Sequence, residues 1–148
     1  EMLSTGRIVR VLPPVLGDDL KRTTFRSGDR TLDNMLEECR TKFSDRNPLV
    51  RREALERLWD AWERLKSLAD PRDKKQSIKI ILDAVAAEPT LRSRLETEAV
   101  ELTAIGNSHL IRHSEVNQVA VIDVDHVDYL FHRLFAMIQL MLRRKGNA

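Results

Sequence analysis

Between residues 48 and 68 apolar side chains recur at three-and-four spacing: Leu55, Leu58, Trp59, Trp62, Leu65 and Leu68. That period lines one face of an α-helix, and a strand, whose successive side chains point to opposite faces, cannot use it. A helix of this kind holds together by burying its stripe against other elements. Asn47 can accept a bond from the first free amides, and Pro48 stands where a missing N–H costs nothing, so the helix begins there. The two tryptophans are flanked by Asp60 and Glu63 rather than by basic residues, which points to core packing rather than to a base-stacking platform.

Four more segments share the helical period. Leu32, Met35, Leu36, Cys39 and Phe43 predict a first helix over 29–43, ahead of the tryptophan helix. After Pro71, a helix from Asp73 to about Ala87 turns Ile78, Ile81, Leu82 and Val85 inward, with Lys74, Lys75 and Lys79 solvating its outer side. Pro89 opens a fourth, with the stripe Leu91, Leu95, Ala99, Leu102 and Ile105. It either stops at Gly106-Asn107 or runs on, with Gly106 admitting the close approach of another backbone. Residues 116–124 read as a loop with one short strand at most. Asp123 or Asp125 then caps a last helix to about Arg144, whose apolar face of Val127, Leu130, Phe131, Leu134, Ile138 and Met141 is widened by Phe135 and Leu142.

Residues 1–27 contain Gly6, Gly17 and Pro13-Pro14, too broken for a helix, and read as an extended arm or as linker from a longer protein. The expected fold is therefore all-α: a bundle of about five helices over 28–145, preceded by an extended arm and interrupted by a short irregular insertion before the last helix.

Composition narrows the function classes. Cys39 is the only cysteine, so an intrachain disulfide is excluded, and no apolar run reaches the ~18 residues needed to span a bilayer. A cytoplasmic protein without membrane association is expected. The net charge of +2, concentrated in the first third of the chain, supplies little nonspecific attraction for nucleic acid, so any such partner must be gripped locally.

One stretch carries chemistry. Gly106-Asn107-Ser108-His109-Leu110-Ile111-Arg112-His113-Ser114-Glu115 holds two of the four histidines, an arginine, an amide, two hydroxyls and a carboxylate. Histidine moves protons near neutral pH and arginine holds phosphate with a planar fork, a pairing suited to phosphodiester cleavage. If the helix continues, His109 and His113 extend the stripe of Leu102 and Ile105 and point inward; the plainer reading makes both core or interface histidines and makes Arg112 with Glu115 a surface ion pair. Metal binding is disfavoured. Leu110 stands where a zinc-protease helix needs glutamate, and no cysteine lies nearby, so neither metal nor cofactor is expected. On the last helix Asp128, Tyr129, His132 and Arg133 form a second polar group, which completes a site only if Arg112 and His113 fold back over it.

Residues 51–66 (Arg51-Arg52-Glu53-Ala54 through Leu65-Lys66), Ile111-Arg112-His113-Ser114-Glu115, and His126-Val127-Asp128-Tyr129-Leu130-Phe131-His132-Arg133 together resemble the HEPN superfamily of helical domains, in particular abortive-infection proteins of the AbiJ kind, over roughly residues 30–145. The resemblance implies phage defence, binding and metal-independent cleavage of RNA, a homodimer, and a larger protein or defence-system partner. Ribonuclease members carry an arginine four to six intervening residues before the histidine. None of the four histidines here has one; Gly106 stands where it belongs for His113, with Asn107 at the neighbouring polar position. The catalytic set expected is thus His113 for proton transfer, Arg112 on phosphate from a different direction, and Asn107 and His109 to position them. The competing expectation is a non-catalytic helical dimerisation or regulatory module.

Overall fold

The computed structural model describes residues 25–109 and 119–143. Five helices occupy 77% of it and no strand occurs among the described residues, so the fold is an all-α bundle. They are α1 (Arg30–Phe43), α2 (Pro48–Lys66), α3 (Lys74–Val85), α4 (Pro89–Ser108) and α5 (Val124–Arg143).

Side-chain caps fix the starts. Asp29 accepts from the Leu32 amide, Asn47 from Leu49 and Asp73 from Gln76, each satisfying an amide that lacks an intrahelical partner. The last helix is capped by Asp123, whose Oδ1 accepts from the amides of Asp125 at 2.8 Å and His126 at 3.3 Å. Asp29 and Asp73, expected as first helical residues, are therefore caps.

The first two helices form an antiparallel hairpin, ion-paired from end to end by Asp29 with Arg64, Glu38 with Arg57, and Lys42 with Glu53. Across it lies α5, antiparallel to α1: Phe131 stacks on Phe43 with ring centroids 3.7 Å apart. Packing starts ahead of α1, where Phe25 meets Phe135 edge-on at 6.3 Å beneath the Arg40 guanidinium. The wide apolar face of α5 is consumed inside one chain, because all eight residues predicted for it, and Met137 besides, are buried. It leaves no apolar stripe for a second copy to cover.

Trp59 and Trp62 are fully buried, each contributing on the order of 2 to 3 kcal/mol. Their indole N–H groups explain how α4 attaches: Trp59 Nε1 donates to the Leu102 carbonyl at 2.8 Å and Trp62 Nε1 to Thr103 Oγ1 at 3.1 Å. The helix does not stop at Gly106. It runs to Ser108, and the close approach that Gly106 permits is that of the Trp59 ring rather than of a backbone, since a Cβ there would overlap Cδ1 and Nε1 of the indole. Leu91, predicted on the inward stripe, is 53% exposed because the core reaches only as far as the half-buried Leu95.

Candidate functional site

The end of α4 sets the geometry of the polar stretch. Past Ser108 the chain leaves helical torsions at His109 (φ −126°, ψ 32°), which removes His109 from the apolar stripe of Leu102 and Ile105. The expectation of an inward-pointing His109 is thereby corrected. Its half-exposed ring lies at the helix terminus with Nδ1 2.8 Å from the Val119 carbonyl, while the Val119 amide donates to the Ser108 carbonyl at 3.0 Å. A carbonyl can only accept, so the proton of that contact sits on Nδ1 and a neutral ring keeps its Nε2 lone pair. These two hydrogen bonds join the chain immediately before residue 110 to the chain immediately after residue 118, making a closed neck.

Of the four residues expected to form the site, Asn107 is exposed on the last turn of α4 and His109 closes the neck. Arg112 and His113 lie outside the described residues, as does Glu115. The described pair is brought to one place by the helix end.

Beyond the neck, Val121 is buried as an anchor and Ile122 is 80% exposed. Ile122 and Val124 share the wall of a shallow depression with Leu49, Arg51 and Arg52 from the start of α2. Arg51 is nearly buried: its Nη1 donates to the Arg46 carbonyl at 2.8 Å and the Asp45 carbonyl at 3.3 Å, and its Nε lies 4.0 Å from Asp128 Oδ1 on α5. It ties the connection between α1 and α2 to the last helix. Arg52 lies 3.7 Å from Glu56 one turn on, where burial pushes the Glu56 carboxyl up from its ordinary value, with Arg52 opposing. His132 is half-buried, its ring edge-on to Phe43 at 5.7 Å.

The second polar group of the sequence thus divides. Asp128 and His132 belong to this end of the bundle, whereas Arg133 turns to Glu98 on α4 with bonds of 2.9 and 2.6 Å, and Tyr129 is 61% exposed. Arg51 and Arg52 had not been singled out as site residues. Their signal was present: two cations near the positive end of a helix dipole, in a first turn without an acidic residue, need partners beyond that turn, which Glu56 supplies for Arg52 and Asp128 for Arg51.

Cys39 is buried and its thiol is held well above its ordinary pKa, chiefly by burial, which makes it an inert core residue rather than a nucleophile. Among the described residues no group of three or more histidine, cysteine, aspartate or glutamate side chains could hold a metal ion. No described helix is long and apolar enough to cross a membrane. In comparisons with known proteins, no family model, no curated sequence and no solved structure matches this chain.

Proposed function

We propose that this chain is a HEPN-like, cytoplasmic phage-defence domain that binds RNA and cleaves it without metal. In this reading His113 transfers the proton, Arg112 engages the scissile phosphate, and Asn107 and His109 position them. The observation that supports it most is the neck. The Val119 amide donates to the Ser108 carbonyl and His109 Nδ1 donates to the Val119 carbonyl, which gathers both ends of the segment bearing Arg112 and His113 into one place. That place is three residues from Ile122, which borders Arg51 and Arg52. A chain entering and leaving at a fixed point loses less entropy on adopting a reactive geometry than a loop tethered at distant ends.

A second reading, a non-catalytic dimerisation module, is favoured by the apolar side chains exposed at the same end: Leu49 at 71%, Val119 at 67% and Ile122 at 80%. One experiment separates the two. Cleavage of single-stranded RNA in the presence of chelator should fall by at least ~10²-fold in His113→Ala, the lower range for a lost general acid or base, and Arg112→Lys should restore only part of what Arg112→Ala removes. If the parent protein cuts no RNA, or His113→Ala cuts as fast as the parent, the catalytic reading fails. A dimer in sedimentation that Ile122→Glu dissociates would then establish the second.

A further inference from the structure

On the flank formed by α2, α3 and α4, away from the neck, lies a cleft of about 540 Å³, within the ~300 to 1,000 Å³ typical of small-molecule sites. Its walls are apolar: Ile78 from α3, with Ala99 and Val100 from α4. Val100 is 66% exposed, so its side chain is open to contact from the cleft.

The floor is a polar network around Lys66. Lys66, only 5% exposed, donates to Thr103 Oγ1 at 2.6 Å, pairs with Glu63 Oε2 at 2.5 Å, and sits 5.4 Å from the centre of the Trp62 ring. Thr103 Oγ1 also accepts from Trp62 Nε1 and donates to the Ala99 carbonyl, so its hydroxyl is fully used. The other oxygen of Glu63 accepts from Lys74 at 2.9 Å, and Glu96 on the opposite wall is engaged by Arg92 at 2.8 Å. Both carboxylates that line the cleft therefore already hold cations.

Two cations at the rim do not share this network. Lys75 and Lys79 line the cleft one turn apart on α3, and neither forms an ion pair or side-chain hydrogen bond among the described residues. The lysines expected to solvate the outer side of this helix therefore have different surroundings: Lys74 is bound to Glu63, while Lys75 and Lys79 present positive charge beside an apolar trough.

We propose that this cleft binds a small amphiphilic organic anion, with its phosphate, sulfonate or carboxylate head on Lys75 and Lys79 and its hydrocarbon or aromatic body against Ile78, Ala99 and Val100. The cleft shares no residue with the neck and does not depend on an RNA-cleaving role. The two ammonium groups select negative charge, and the apolar wall discriminates against small hydrated anions because these gain nothing from covering Val100. The buried Lys66 to Glu63 pair keeps the floor rigid, so the cleft stands open before a ligand arrives.

Anilinonaphthalene sulfonate, an amphiphilic anion whose emission rises on desolvation, is a suitable probe, and its uptake is read by energy transfer from the two tryptophans of α2. Saturable one-to-one binding is expected. Lys75→Glu combined with Lys79→Glu, both on the exposed side of α3, should weaken it by about tenfold or more, one charge-assisted contact's worth of affinity. Leu49→Ser, on the apolar patch at the neck end, should leave it unchanged. Phenyl phosphate should displace the probe at concentrations where inorganic phosphate does not. Unchanged affinity in the double variant, loss of binding with Leu49→Ser, or equal displacement by inorganic phosphate would each overturn the proposal, the last by leaving a site for simple anions only.

Discussion

Helices α4 and α5 are both 20 residues long, yet nine residues of α5 are buried and only Ala99, Leu102 and Gly106 of α4. The last helix is the centre of the bundle, with Phe131 stacked on Phe43 and Phe135 edge-on to Phe25. The fourth is an edge helix, held largely at points: two indole N–H bonds, the Lys66 bond to Thr103, one glycine contact, the bonds from Arg92 to α3 and the Arg133 fork. A helix attached at points leaves room along the rest of its length. That is why both the cleft and the closed neck lie on α4, and why neither lies on the buried face of α5.

Truncating the centre should do most damage. Phe131→Ala removes a fully buried ring stacked on Phe43 and packed 6.0 Å from Phe135, and should lower the unfolding free energy by about 3 to 5 kcal/mol in urea titration. A loss under ~1 kcal/mol would mean that α5 is not the centre of the core.

On the edge helix the decisive position is a glycine. Gly106→Ala adds a methyl where the Trp59 ring already stands and should cost about 1 to 3 kcal/mol, although alanine is the better helix former. Stabilisation in a thermal melt would show that α4 can slide off the indole, and the contrast between the two helices would sharpen further.

The smallest effect belongs to the fork between Arg133 and Glu98. The bonds from Arg133 hold the Glu98 carboxyl below its ordinary value near 4.5. A depressed carboxylate stabilises the fold above its unfolded pKa, and that contribution is lost as pH falls through the folded value. Because the pair is partly solvated, Glu98→Gln should cost under ~1 kcal/mol at pH 7. The difference from the parent should shrink as the pH is lowered past 4.5 and the parent carboxylate protonates. A difference that grows on acidification would reverse the assigned sign.

The stripe of α2 was readable from Leu55 to Leu65, and that of α5 throughout, because each is buried on several sides and the helical period alone decides what faces inward; Leu68, expected on the same stripe, falls past the helix end at Lys66 and is half-buried. The period failed at Leu91, where it describes a face that the core does not reach. It also failed at His109, where extending the stripe presumed a helix that ends one residue earlier. At the candidate site, Asn107 and His109 were legible as polar residues near a helix end. The bond from His109 to Val119 was not, since nothing in the spacing of residues 109 and 119 marks them as partners.

The chain's local order therefore determined five helices, the Asn and Asp caps of four of them and the aromatic core, because capping and periodicity involve residues a few positions apart. Tertiary structure decided what Gly106 makes room for, where Arg51 spends its guanidinium, and that Lys66 is buried beside Glu63 while Lys75 and Lys79 frame an open cleft. The physical reason is distance along the chain. Trp59 bonds to a carbonyl 43 residues away, and Lys66 to a hydroxyl 37 residues away. Contacts of that span depend on how the helices are docked, which depends in turn on the volumes of all the side chains between them.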